Sequence, residues 1–177
     1  MIEYKVKVYE DRTEWYLNDQ LHREDGPAIE YTNGTKLWYL NGKRHRENGP
    51  AYEDSNEYTN GSKWYLNGKL HREDGPAIEW ENGYKAWFLN GKPHREDGPA
   101  CEYPKGTKEW YLNGKLHRED GPAVECANGS KYWYLNGEQL TEEEFIKRNS
   151  HSITIDGKEV IISNDSFNEL KKFFKGE

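Results

Sequence analysis

The amino-acid sequence predicts an all-β repeat array: an elongated, twisted antiparallel sheet of stacked hairpins with a 23-residue period, followed by a small α+β C-terminal tail. Three observations carry this reading. The box Gly-Pro-Ala recurs at Gly26-Pro27-Ala28, Gly49-Pro50-Ala51, Gly75-Pro76-Ala77, Gly98-Pro99-Ala100 and Gly121-Pro122-Ala123, in steps of 23, 26, 23 and 23 residues. Tryptophan recurs at Trp15, Trp38, Trp64, Trp87, Trp110 and Trp133. Asn-Gly pairs bracket each Trp-Tyr-Leu segment, as Asn33-Gly34 and Asn41-Gly42 do. Asn-Gly between short alternating runs is the strongest local hairpin signal. A unit this short cannot bury a core alone, so stacked units must share one.

The elements follow in chain order. Residues 4–9 supply a first strand to a degenerate N-terminal unit, in which Asn18-Asp19 replaces Asn-Gly. After each proline, apolar residues alternate with glutamate: Ile29 and Tyr31 flank Glu30, Ile78 and Trp80 flank Glu79, Cys101 and Tyr103 flank Glu102, Val124 and Cys126 flank Glu125. A period of two is that of a half-buried strand. In the next strand, alternation puts Trp38 and Leu40 on one face and Tyr39 on the other. One sheet face is thus expected to carry Trp and Leu, and the other an aromatic ladder beside Glu and Lys. The Asp-Gly before each proline, as at Asp25-Gly26, suits a turn or a bulge. The long step carries a three-residue insertion near Asp54-Ser55-Asn56.

The period stops after Leu140, which divides the array (1–140) from a tail (141–177). Thr141 with Glu144 makes a capping box for a helix ending near Asn149. A hairpin over 152–162 turns at Asp156-Gly157. A second helix over 163–175, capped by Asp165 or Ser166, gathers Phe167, Leu170, Phe173 and Phe174 on one apolar face. The tail either closes the open end of the array or forms a dimer or partner contact.

Composition limits the function classes. Hydrophobic residues make up only 33% of the 177, but 13 Tyr and 7 Trp supply apolar area for packing. The net charge of −7, with Lys and Arg interspersed, argues against a protein that grips a nucleic-acid backbone. With two cysteines, a charged N-terminus and no long apolar run, the expected setting is intracellular, without membrane contact. The Asn-Gly-Thr/Ser triplets then read as turns rather than glycosylation sites.

Within the repeats, His22, His45, His71, His94 and His117 resemble a metal or catalytic set. Equivalent positions of neighbouring hairpins lie roughly 9–10 Å apart, too far to converge on one ion. Ladder packing is the plainer role, and shared ligand contact the alternative. Arg23, Arg46, Arg72, Arg95 and Arg118 follow, each beside acidic residues. They suit an inter-repeat ion-pair ladder, or a row that grips anions together with the histidines. The aromatic row Tyr16, Tyr39, Tyr65, Phe88, Tyr111 and Tyr134 is the leading binding candidate, because exposed aromatic rows mark interaction surfaces. Cys101 and Cys126 read as two buried thiols. No catalytic residue, metal or cofactor is expected.

The Asn-Gly-Lys, Trp-Tyr and Gly-Pro-Ala positions, over about residues 10–140, resemble the MORN repeat family. They are closest to its variant branch in bacterial antitoxin-like proteins and in repeat proteins of phages and large DNA viruses. The resemblance implies an open sheet of hairpins without catalytic residues, whose members mostly hold proteins or lipids. Ordinary units carry Gly-x-Gly where this chain has Asp-Gly-Pro-Ala, which together with the acidic balance weighs against lipid. A non-enzymatic protein-binding scaffold follows, one that neutralises a toxin or a host defence protein through an aromatic and charged sheet face. Alternatives are a small-ligand or nucleotide-sequestering protein and a structural or virion component. Open sheet edges also allow a homodimer.

Overall fold

The computed structural model describes residues 3–56 and 60–175. Each repeat contributes two hairpins. The first joins Ile29–Tyr31 to Lys36–Leu37, with Ile29 opposite Leu37 and Glu30 opposite Lys36. Its equivalents join Ile78–Trp80 to Lys85–Ala86 and Cys101–Glu102 to Lys108–Glu109. These hairpins pair with one another through Leu37 opposite Tyr52 and Ala86 opposite Cys101. The result is one long antiparallel sheet running from Lys5–Val8 to Glu138–Leu140.

The second hairpin joins Tyr39–Leu40 to Lys43–Arg44, and recurs as Tyr65–Leu66 with Lys69–Leu70 and Phe88–Leu89 with Lys92–Pro93. Backbone bonds from Arg46 N to Tyr65 O (3.1 Å) and from Gly68 N to Arg44 O (2.8 Å) link these hairpins into a second row. The chain changes rows at tryptophan: Trp38 N donates to Ala51 O at 2.9 Å, and Trp38 O accepts from His45 N at 3.1 Å.

The two Asn-Gly turns differ. In the second, Asn90 and Gly91 both have positive φ (53° and 82°), as the tight two-residue hairpin turn requires. In the first, only Gly34 is left-handed, and the Asn33 side chain accepts from Thr35 N at 3.0 Å. Packing centres on the alanine of each Gly-Pro-Ala box: Ala28, Ala51, Ala77, Ala100 and Ala123 are all 0% exposed.

The register corrects the expected faces. The connection at 32–35 sets Glu30 opposite Lys36, and Lys36 lies two residues before Trp38. The Glu/Lys face is therefore the Trp face. The Tyr39 row shares its face with Ile29, Leu37 and Tyr52 instead, and its members are half-buried rather than outward.

In the tail, helix α1 (Glu142–Arg148) carries the expected capping box at Thr141 and ends at Asn149. It closes the end of the array. Phe145 and Leu140 are buried, Arg148 holds Glu138 through two bonds of 2.8 and 3.0 Å, and Asn149 Nδ2 donates to Glu119 O at 3.0 Å. The hairpin pairs Ser150–Ile155 with Lys158–Ser163 around Asp156-Gly157. Helix α2 (Asn164–Lys175) follows, with Phe167 stacked on His151 at 3.8 Å. Ser166 lies inside its first turn, not at its cap, and the Asp165 side chain lies outside the described residues. The expected apolar face is open at its end, where Phe173 and Phe174 are exposed. Among the described residues no helix is long and apolar enough to cross a membrane.

Candidate functional site

On the Trp face, each arginine ties together its own repeat. The Arg95 guanidinium lies 4.0 Å from the Trp87 ring centroid. Its Nε donates to Asp97 at 2.8 Å, and one terminal nitrogen donates to Pro99 O (3.3 Å) and Glu102 (3.2 Å). Arg118 repeats this set, while Arg46 stacks on Trp38 and holds Pro50 O and Glu53. Arg23 and Arg72 stack on Trp15 and Trp64 in the same way. These ion pairs run within a repeat, across the Asp-Gly-Pro-Ala loop, and not along a ladder between repeats. The hydrogen bond to Arg holds the Asp74 and Asp97 carboxyls below their ordinary range. The loop glycine makes room for the arginine: a Cβ at Gly98 would sit 3.0 Å from Arg95 Cζ.

The histidines make a side-chain contact between repeats. His71 Nδ1 accepts from Asn90 N at 3.1 Å, and His45, His94 and His117 accept likewise from Asn67, Asn113 and Asn136. His22 does the same for Asn41. Each Nε2 then faces an exposed glutamate, as His71 faces Glu73 at 3.6 Å. Among the described residues, no group of three or more His, Cys, Asp or Glu side chains is placed to hold a metal.

Between successive arginine boxes lies an open groove, repeated four times and measuring about 500 to 800 Å³. Trp87 and Leu89 line one of them between Arg72-Glu73-Asp74 and Arg95-Glu96-Asp97. Its arginines are engaged and mostly covered, whereas Glu73 and Glu96 are 85% and 83% exposed. The groove therefore presents carboxylates to solvent above an apolar floor.

The opposite face carries the aromatic row, and the structure gives Tyr16, Tyr39, Tyr65 and Tyr111 local partners. Tyr16 OH donates to Glu14, which lifts the phenol to about 12. Tyr103 and Tyr111 both donate to Glu109 at 3.2 Å. Burial, then the Glu109 charge, raises Tyr111, and raises Tyr103 to about 12. Cys101 is buried beside them, its thiol pushed up to about 11 by burial and then by Glu109. Cys126 is half-buried, and both cysteines are free.

One stretch of this face departs from the repeat. Arg44 donates to Tyr39 OH (3.1 Å) and Tyr65 OH (3.4 Å), and its guanidinium lies 5.5 Å from the Tyr52 ring centroid. Lys63 Nζ lies 5.4 Å from the Tyr52 centroid and 5.0 Å from that of Trp80. Sequence reasoning passed over both cations because it followed the residues that repeat. The signal was available as two departures: Arg44 stands where other units have Leu21, Leu70, Pro93 and Leu116, and Ser62-Lys63 stands where others have lysine first. No known protein family matches the sequence, and no curated protein is significantly similar to it.

Proposed function

We infer that the chain is a non-enzymatic protein-binding scaffold, MORN-like in its repeat, whose partner docks on the Trp face. The supporting observation is the row of four equivalent grooves, each pairing an apolar floor with exposed carboxylates. A periodic, open surface suits a wide contact better than a pocket that orients one small substrate. Within the grooves, the exposed charge that no arginine engages belongs to Glu47, Glu73, Glu96 and Glu119, so the matching partner is a protein with a basic surface. A toxin or a host defence protein with such a surface is the partner class that the repeat resemblance adds.

The test compares three baits in a pull-down from native-host lysate: the natural chain, one with Glu47, Glu73 and Glu96 changed to Lys, and one with Tyr39, Tyr65 and Tyr111 changed to Ser. The captured protein is then purified and titrated against each bait. The expected result is a stoichiometric basic partner lost on charge reversal and weakened by salt. A partner indifferent to charge reversal but lost with the Tyr variant would move the interface to the aromatic face.

A further inference from the structure

The repeat supplies its own control for every residue, since a side chain that only builds the array recurs in each unit. Arg44 and Lys63 do not recur. At the position of Arg44 the other units carry Leu21, Leu70, Pro93, Leu116 and Gln139. At that of Lys63 they carry Glu14, Leu37, Ala86, Glu109 and Tyr132. Both departures bring a cation onto the apolar, aromatic face, and both sit around one ring, that of Tyr52.

A third departure shapes the place. Gly61 stands where the following units have Tyr84, Thr107 and Ser130. A Cβ there would lie 2.1 Å from Trp80 Cε3, so the glycine lets the indole lie across the backbone. Trp80 then meets Tyr52 edge-on, with centroids 6.3 Å apart and planes at 84°. The three departures converge beside the inserted segment of the array.

Burial opposes both charges; the Tyr39 and Tyr65 hydroxyls more than offset it for Arg44, which is held above its ordinary range, but among the described residues Lys63 has no such support. Arg44 and Lys63 are half-buried like charges, and their repulsion adds to burial in pulling the lysine below its ordinary range. Asp54 acts on Lys63 through space, while its carboxylate accepts from Thr35 Oγ1 (3.3 Å) and Asn56 N (3.0 Å). Among the described residues, neither cation has an ion-pair partner. Tyr39 and Tyr65 each use the hydroxyl oxygen to accept from Arg44, which turns their protons outward as donors. Two cations, two phenol hydroxyls that donate to no group among the described residues, and the rings of Tyr52 and Trp80 match an oxyanion joined to a ring.

We propose that Arg44 and Lys63, framed by Tyr39, Tyr52, Tyr65 and Trp80, form a binding site for a small phosphate monoester that carries an aromatic ring. The phosphate sits between the cations and the tyrosine hydroxyls, and the ring packs against Trp80 or Tyr52. The site lies on the face opposite the carboxylate grooves and stands independently of the protein-binding reading.

The test uses the full chain and the variants Arg44→Leu, Lys63→Leu and both together. Leucine occupies each of these positions in another unit, so the fold is retained; circular dichroism and thermal melting verify this. Each protein is titrated calorimetrically with phenyl phosphate, a nucleoside monophosphate, inorganic phosphate and the unphosphorylated nucleoside. The expected result is saturable one-to-one binding of both ring-bearing monoesters, tighter than inorganic phosphate. Each leucine substitution should weaken it about tenfold or more, the scale of one lost charge-assisted bond. Absence of saturable binding to the natural chain overturns the proposal. So does equal affinity for the unphosphorylated nucleoside, or unchanged affinity in the folded double variant.

Discussion

Arg95 joins five groups within sixteen positions of the chain: Trp87 beneath it, Asp97, the Pro99 carbonyl and Glu102 at its nitrogens, and Gly98 against its flat side. A planar fork can meet all of these at once, and a point charge on a flexible stem cannot. Arg95→Lys should therefore lower stability by about 1–2 kcal/mol, through the lost stacking and the lost carbonyl bond. Urea unfolding measures it, and an unchanged midpoint would show that the arginine contributes charge alone. The thiols make a second test. Cys101 is buried and its pKa is raised to about 11, so little thiolate is present near pH 8. Alkylation followed by intact mass spectrometry should show one fast modification, at Cys126, and a second only after unfolding. Two equally fast events would contradict the burial of Cys101.

The hairpins set what each element tolerates. Gly91 has φ of +82°, in a turn whose other central residue, Asn90, is also left-handed. Gly91→Ala should cost about 1 kcal/mol, because a Cβ is strained there. Ala100 is 0% exposed, and its carbonyl accepts from Trp87 N. Ala100→Val should cost about 1–3 kcal/mol by overpacking. If thermal melting shows it to be neutral, a gap must exist beneath the box. These elements were legible in the sequence because their signals are local: Asn-Gly for the turns, alternation for the strands, Thr141 with Glu144 for the helix cap. The sharing of faces was not. Whether Tyr39 lies with Leu37 and Ile29 or with Glu30 depends on cross-strand register, and a shift of one residue reverses every side chain.

The whole molecule behaves as a row of coupled units, since each repeat touches mainly its neighbours. Deleting residues 99–121 removes one 23-residue period and rejoins Gly98 to Pro122, another Gly-Pro junction. The shortened chain should fold cooperatively with a lower melting temperature and a smaller urea m-value, as less surface is buried. A chain that fails to fold would mean that the array depends on a particular central repeat. The deletion removes Asn113 and His117, and leaves His94 Nδ1 to accept from Asn136 N as the equivalent junction.

The sequence by itself determined the fold class, the period and the positions of the Asn-Gly turns. Each rests on spacing or on the conformational preference of one or two adjacent residues. Tertiary structure decided the rest. It turned the arginines inward onto their own repeats and left Glu47, Glu73, Glu96 and Glu119 exposed in the grooves between them. It also set Arg44 and Lys63 around Tyr52, although they are nineteen positions apart in the chain. Strand pairing brings distant residues side by side, and no local pattern records which neighbours it chooses.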